Sequence, residues 1–132
     1  MKTRGIRILD KEKRVVIVEL QDIFQEISNG DFLQWSILFF NGTGKLQNGK
    51  SILLFETEIN KLQKGLLINW KELNDLAKQF YDVYDILIVG FKKPDMIARY
   101  ENDQEMYESC DIVIEMIDSG YWEVFSNDEE LI

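Results

Sequence analysis

The sequence predicts one α+β domain spanning residues 1–132, a mixed, mostly antiparallel sheet with a hairpin at each terminus and three to four short helices packed on it. Three observations lead there. The spacing of apolar residues switches repeatedly between β-rich runs and the three-and-four spacing of amphipathic helices. A chain of 132 residues, 45% hydrophobic with one proline, can bury one real core but not two. The segments are short and follow the order β-β-α-β-α-β-α-β-α-β-β, which puts helices on one or both faces of a single sheet.

Each element has its own signal. Gly5 to Leu9 and Arg14 to Glu19 are β-rich and flank the polar turn Asp10-Lys11-Glu12-Lys13, so they read as an opening hairpin. Leu20, Ile23, Phe24 and Ile27 fall on one helical face, and Asn29-Gly30 supplies the stop. Leu33 to Phe40 is apolar apart from Gln34 and Ser36, as befits a central strand covered on both faces, and Asn41-Gly42 marks its end. Ile52, Phe55, Ile59 and Leu62 give a second helix with Glu56, Glu58 and Lys61 between them. Gly65 to Ile68 is a short strand. Asn69 and Glu72 form a capping-box start to a third helix through Leu73, Leu76, Ala77 and Phe80. Tyr84 to Gly90 is a strand, Phe91 to Arg99 a loop, and Asp103 caps a short helix through Met106, Tyr107 and Cys110. Asp111 to Ile117 and Tyr121 to Phe125 close the sheet as a hairpin through Asp118-Ser119-Gly120, before a last helical start at Glu129.

Composition removes whole classes of chemistry. Without histidine there is no Ser-His-Asp triad, no histidine base and no His-ligated zinc. The lone Cys110 can form no internal disulfide, which fits a reducing compartment. Its neighbours Glu108, Asp111 and Glu115 would disfavour a thiolate, so Cys110 is expected to be buried and inert. No apolar run approaches the roughly 20 residues that span a bilayer and no signal-peptide core follows Met1, so the expected location is the cytoplasm.

Net charge is -9, and all 15 Lys and Arg precede residue 101. The last quarter carries Glu101, Asp103, Glu105, Glu108, Asp111, Glu115, Asp118, Glu123, Asp128, Glu129 and Glu130 with no base among them. Such a surface repels nucleic acid and anionic membranes and attracts a basic protein. The plainer reading is that these acids solvate a helix and a hairpin. Tyr121 and Trp122 are adjacent, so on a strand they face opposite ways and one of them is expected beside the acids as an apolar anchor.

Two patterns could carry chemistry. Gly44-Lys45-Leu46-Gln47-Asn48-Gly49-Lys50-Ser51 satisfies GxxxxGK[ST] between a strand and a helix, which in a true phosphate loop would put Lys50 on the terminal phosphates and Ser51 on magnesium. The short chain and the turn-forming Asn48-Gly49 argue instead for a turn, leaving nucleotide binding as the alternative function. Asp111, Glu115, Asp118 and Glu123 could hold magnesium across the closing hairpin, but their spacing does not make three carboxylates converge. Solvated edge charges explain them as well. No catalytic residue, cofactor or metal is expected.

Trp35-Ser36-Ile37-Leu38, Gly65-Leu66-Leu67-Ile68 leading into Trp70-Lys71-Glu72-Leu73, and the stretch from Tyr100 to Ile132 resemble a group of small bacterial immunity proteins of contact-dependent inhibition and related polymorphic toxin systems. The resemblance implies a non-enzymatic antidote that binds the C-terminal domain of its cognate toxin, a nuclease, and touches neither nucleic acid nor membrane. Joined to the charge argument, it places the partner surface on Glu101, Asp103, Glu105, Glu108, Asp118, Tyr121, Trp122 and Glu123.

Overall fold

The computed structural model describes residues 4–9, 20–25, 27, 30–47, 49–92, 110–117 and 121–126. They form one α+β unit on a six-stranded sheet. The strands are β1 (Arg4–Leu9), β2 (Gln34–Gly44), β3 (Leu66–Ile68), β4 (Phe80–Phe91), β5 (Ile112–Ile117) and β6 (Tyr121–Ser126), in spatial order β1-β6-β5-β4-β2-β3. Every pairing among them is antiparallel. The helices are α1 (Leu20–Gln25), α2 (Ile52–Lys61) and α3 (Trp70–Ala77), with a 3-10 turn at Gly30–Phe32.

The closing hairpin forms as its turn signal implies, Ile117 facing Tyr121 and Ile112 facing Ser126. At the opposite terminus, β1 pairs with β6 along its whole length, from Arg4 against Ser126 to Leu9 against Tyr121. The second arm of the expected opening hairpin, Arg14 to Glu19, lies outside the described residues, as do the expected helix from Asp103 and the last helical start.

Several expected boundaries move, and Phe91 closes β4 where a loop was expected to begin. Asn41-Gly42 does not end β2, which continues to Gly44. A Cβ at Gly42 would sit 2.4 Å from the Asp82 carbonyl oxygen and one at Gly44 2.4 Å from that of Gln79, so these glycines admit β4 at close range within the ladder. The third helix stops at Ala77, and Phe80 begins β4. Phe80 still joins the same core, stacked on Phe40 with centroids 4.5 Å apart, so its apolar character suits either assignment.

Local signals set the helix starts. Asn69 Oδ1 accepts from the Glu72 N–H at 2.8 Å while the Asn69 N–H donates to Glu72 Oε1 at 3.3 Å, a complete capping box. Ser51 Oγ accepts the Leu54 N–H at 3.1 Å and starts α2. Gly65, at φ 69°, turns the chain from α2 into β3 in the left-handed region that a side chain disfavours.

The core divides across the sheet. The helix-covered face holds Trp35, Ile37, Phe40, Ile86, Ile88, Ile112, Ile114 and Trp122 with Phe24, Phe55, Ile59 and Leu73 from the helices. The opposite face holds Leu38, Val89, Phe91, Cys110 and Val113. The central strand is therefore buried on both faces, as its near-continuous apolar run requires. Trp35 is fully buried, and its Nε1–H donates to the Gly30 carbonyl at 2.8 Å, so its one polar group is satisfied. Each large side chain so buried contributes on the order of 1.5–3 kcal/mol through surface removed from water.

Candidate functional site

The two longest strands, β2 and β4, outrun their outer neighbours. β3 covers β2 only at Trp35, Ser36 and Ile37. Beyond it Asn60 of α2 closes the edge, its Oδ1 accepting from the Phe40 N–H at 3.2 Å and its Nδ2 donating to the Phe40 carbonyl at 3.3 Å. β5 covers β4 only from Ile86 to Gly90, so Phe80 to Asp85 pair with β2 alone among the described strands.

That overhang reads Phe-Tyr-Asp-Val-Tyr-Asp. Phe80 and Val83 pack on the helix-side core, while Tyr81 is 69% exposed, Tyr84 is 43% exposed and Asp82 faces solvent. Tyr84 is skipped in the pairing, Asn41 facing Asp85 and Gly42 facing Val83, so the strand bulges there. Thr43 fixes Asp82 from the side, its Oγ1 accepting the Asp82 N–H at 3.2 Å and donating to Oδ2 at 3.3 Å. Phe39, on β2 opposite Leu87, is 41% exposed. Lys78, two residues before the overhang, and Lys45, whose N–H bonds the Gln79 carbonyl, stand at its Gln79 end. The closing hairpin ends on the same side, since Met116 faces Ile86 and Ile117 lies one step further, toward the level of Asp85.

Several residues assigned to the partner surface sit elsewhere or fall outside the described residues. Trp122 is 1% exposed within the main core, so it is no surface anchor. β6 lies between β5 and β1, with Trp122 opposite Met116 on one and Ile8 on the other, an inner place in the sheet that alternation within one strand does not reveal. Tyr121 is placed by its backbone, between Leu9 and Ile117. Glu123 is 8% exposed, opposite Glu115 on β5 and Arg7 on β1, a position inside the sheet and not on its rim. Glu101, Asp103, Glu105, Glu108 and Asp118 lie outside the described residues.

The four hairpin acids have different settings. Glu115 and Glu123 are cross-strand neighbours, but Asp111 lies before β5, where its Oδ2 accepts the Lys92 N–H at 2.6 Å and its carbonyl accepts from Ser126 Oγ at 3.1 Å. Among the described residues no three His, Cys, Asp or Glu side chains gather as metal ligands.

The GxxxxGK[ST] segment ends on a groove of about 450 Å³ between α2, β3 and α3, lined by Phe55, Ile59, Leu62, Leu66 and Leu76 with Lys50 at its mouth. Lys50 Nζ lies 2.6 Å from Glu58 Oε2, and Gly49, at φ 79°, donates to the Leu46 carbonyl. The preceding strand has antiparallel neighbours on both sides, unlike the parallel βαβ setting of a phosphate loop. The segment is thus a turn whose lysine is ion-paired and whose serine caps α2. Cys110 is buried, as expected.

From sequence alone, aromatic rings such as Tyr81 and Tyr84 belong most often to a core or its edge, but here both are exposed. The signal was present: beyond Gly90 toward the N-terminus, apolar residues thin out while the strand continues. No helix among the described residues is long and apolar enough to cross a membrane. Comparison of the chain with protein-family models, curated proteins and solved structures yields no match.

Proposed function

We propose that this protein is a cytoplasmic immunity protein that binds and neutralises the nuclease domain of a contact-dependent inhibition toxin or a related toxin, acting by binding and not by catalysis. The observation that carries the reading is the stretch of β4 that the described strand β5 does not cover, where Tyr81, Asp82 and Tyr84 are exposed, on the same side of the fold as the end of the β5–β6 hairpin. A nuclease is cationic where it grips nucleic acid, so an acidic surface can occupy that ground. The base-free sequence from Glu101 onward adds to the same field, with Glu101, Asp103, Glu105, Glu108 and Asp118 as its proposed contributors. Tyrosine supplies broad contact area at small entropic cost, and Tyr81 and Tyr84 take the anchoring role for which Trp122 is too deeply buried.

The two kinds of residue should act on different rate constants. Charge steers encounter over roughly 8 Å at physiological salt, whereas apolar anchors set residence time. The test is co-purification with the product of the adjoining gene, followed by surface plasmon resonance of the pair. Reversing Glu105 and Glu108 to lysine should slow association, and Tyr81→Ala should speed dissociation. Absence of any complex would refute the reading.

A further inference from the structure

We propose that the groove between α2 and α3 takes an amphipathic helix of a partner, with its apolar face inward and a basic side chain beside Glu72 and Asp75. The residues that line it come from one run of chain, Leu46 to Gln79. Phe55, Ile59 and Leu62 recur at four and three residues, and Glu72, Leu76 and Gln79 do the same, so each helix turns one row of side chains to the gap. Between the rows, β3 carries Leu66 and Ile68 on the helix side of the sheet, opposite Ile37 and Trp35 of β2. Ile37 and Trp35 are fully buried, whereas Leu66 and Ile68 are only partly buried and Leu62 is exposed, so the helical layer thins over the last strand. Helices pack by seating the side-chain ridges of one between those of its neighbours. A groove with helical rows on both sides can receive one more helix by the same packing. α2 has 10 residues and α3 has 8, lengths of about 15 and 12 Å that suit a partner helix of two to three turns.

Charge sets the chemistry of the occupant. Lys50, Glu58, Glu72 and Asp75 are the charged side chains of the lining. Lys50 is paired with Glu58 at 2.6 Å, which leaves the two α3 carboxylates as the net charge of the rim. Both are exposed; Glu72 Oε1 accepts the Asn69 N–H, and no described base pairs with either side chain. Lys71 and Lys78 lie roughly 140–160° around the helix from Leu76 and do not line the groove. A base on the flank of the incoming helix therefore gains a carboxylate partner, and an acid there meets repulsion. A second copy of this chain is the poorer occupant. Its exposed α2 leucines, Leu53 and Leu54, are adjacent and not four apart, so they form no apolar row for the groove to take.

A peptide of about 16 residues tests this on the protein alone, with leucines three and four apart on one face, arginines on the flank, and helicity checked by circular dichroism. Titrated into methyl-labelled protein and followed by NMR, it should shift the methyls of Ile59, Leu62, Leu66 and Leu76 and leave those of Leu53 in place. Leu62→Ala, at an exposed position, should weaken binding about fivefold or more. So should Glu72→Gln combined with Asp75→Asn, which removes both charges and keeps a side chain able to complete the capping box. Leu53→Ala should leave binding unchanged. No binding at millimolar peptide would overturn the proposal, as would binding that leaves the groove methyls unshifted or a glutamate-flanked peptide that binds as tightly as the arginine form. Equal binding of a peptide with the same composition in scrambled order would show a site for apolar groups in any arrangement and remove the helix. Groove shifts that grow with protein concentration in the absence of peptide would assign the site to a second copy, and also overturn it. The antidote reading stands or falls separately, on whether a complex forms with the neighbouring gene's product.

Discussion

Replacing Gly30 with alanine should destabilise the fold by about 2–4 kcal/mol, a large effect for one methyl group. A Cβ built at Gly30 falls 2.5 Å from Cε2, 2.6 Å from Cδ2 and 2.8 Å from Cζ2 of the Trp70 indole. Carbon atoms ordinarily meet at about 3.5–4.0 Å, so the indole must retreat by roughly 1 Å. It is held from two other directions, stacked on Trp35 with centroids 4.9 Å apart and tilted against Phe24 at 5.1 Å. Trp35 cannot follow freely, because its indole N–H is bonded to the carbonyl of Gly30 itself. Overpacking of this kind costs about 1–3 kcal/mol, and each weakened aromatic pair adds up to about 0.5–1.5 kcal/mol. Trp70 is only partly buried, so some displacement toward solvent keeps the total below the simple sum.

Urea unfolding followed by tryptophan fluorescence measures the difference directly, and the loss corresponds to a fall in Tm of roughly 4 °C per kcal/mol for a chain of this size. The cause is isolated by a second substitution. If the indole is the obstacle, Gly30→Ala in a Trp70→Leu background should cost at least about 1 kcal/mol less than in the parent. A stability change within 0.5 kcal/mol for the single variant, or full additivity in the double variant, would refute the reasoning.

Asn69→Ala should cost about 1 kcal/mol, since it removes the side chain that accepts the Glu72 N–H and leaves an orphan donor at the start of α3; thermal unfolding checks it. Lys50→Ala should change stability by no more than about 0.5–1 kcal/mol, because its bond to Glu58 is an exposed ion pair. In the parent protein, isothermal titration with ATP or GTP and magnesium should show no heat of binding; micromolar affinity abolished by Lys50→Ala would restore the phosphate-loop reading. Trp122→Ala should lose about 3–5 kcal/mol of stability, as expected for a large core ring, and any loss of partner binding should track unfolding in urea. A folded Trp122→Ala variant with weakened binding would return that residue to the interface.

Local signals made most elements legible. Asn69 and Glu72 announced α3, the spacing of Ile52, Phe55, Ile59 and Leu62 announced α2, and the apolar run before Asn41 announced a doubly covered strand. What they missed were facts of pairing between distant segments. The β1–β6 ladder joins the ends of the chain and has no local signature, and the burial of Trp122 depends on it and on β5. The extension of β2 through Gly42 and Gly44 was hidden because glycine reads as turn-forming when its use here is to let Asp82 and Gln79 approach. The candidate site was missed for a related reason. Tyr81 to Asp85 look like the polar run-up to a strand, and only the register of β5 shows that they belong to a strand whose outer partner stops short.

That register gives the molecule an asymmetry that composition alone could not. Both long strands run beyond their described neighbours, and the remainder of β2 is sealed by a side chain of the same fold. On β2 the seal is Asn60, a residue whose amide can match a carbonyl and an N–H at once, and the helix that carries it packs over the same strand. On β4 the corresponding ground is given to Tyr81, Asp82, Tyr84 and Asp85, with a bulge at Tyr84. Acids and a bulge protect an edge from indiscriminate pairing with neutral strands, because any such partner must desolvate the carboxylates without return. The basic partner proposed above would bring cations of its own to these carboxylates, so a solvating role and a binding role for them need not compete.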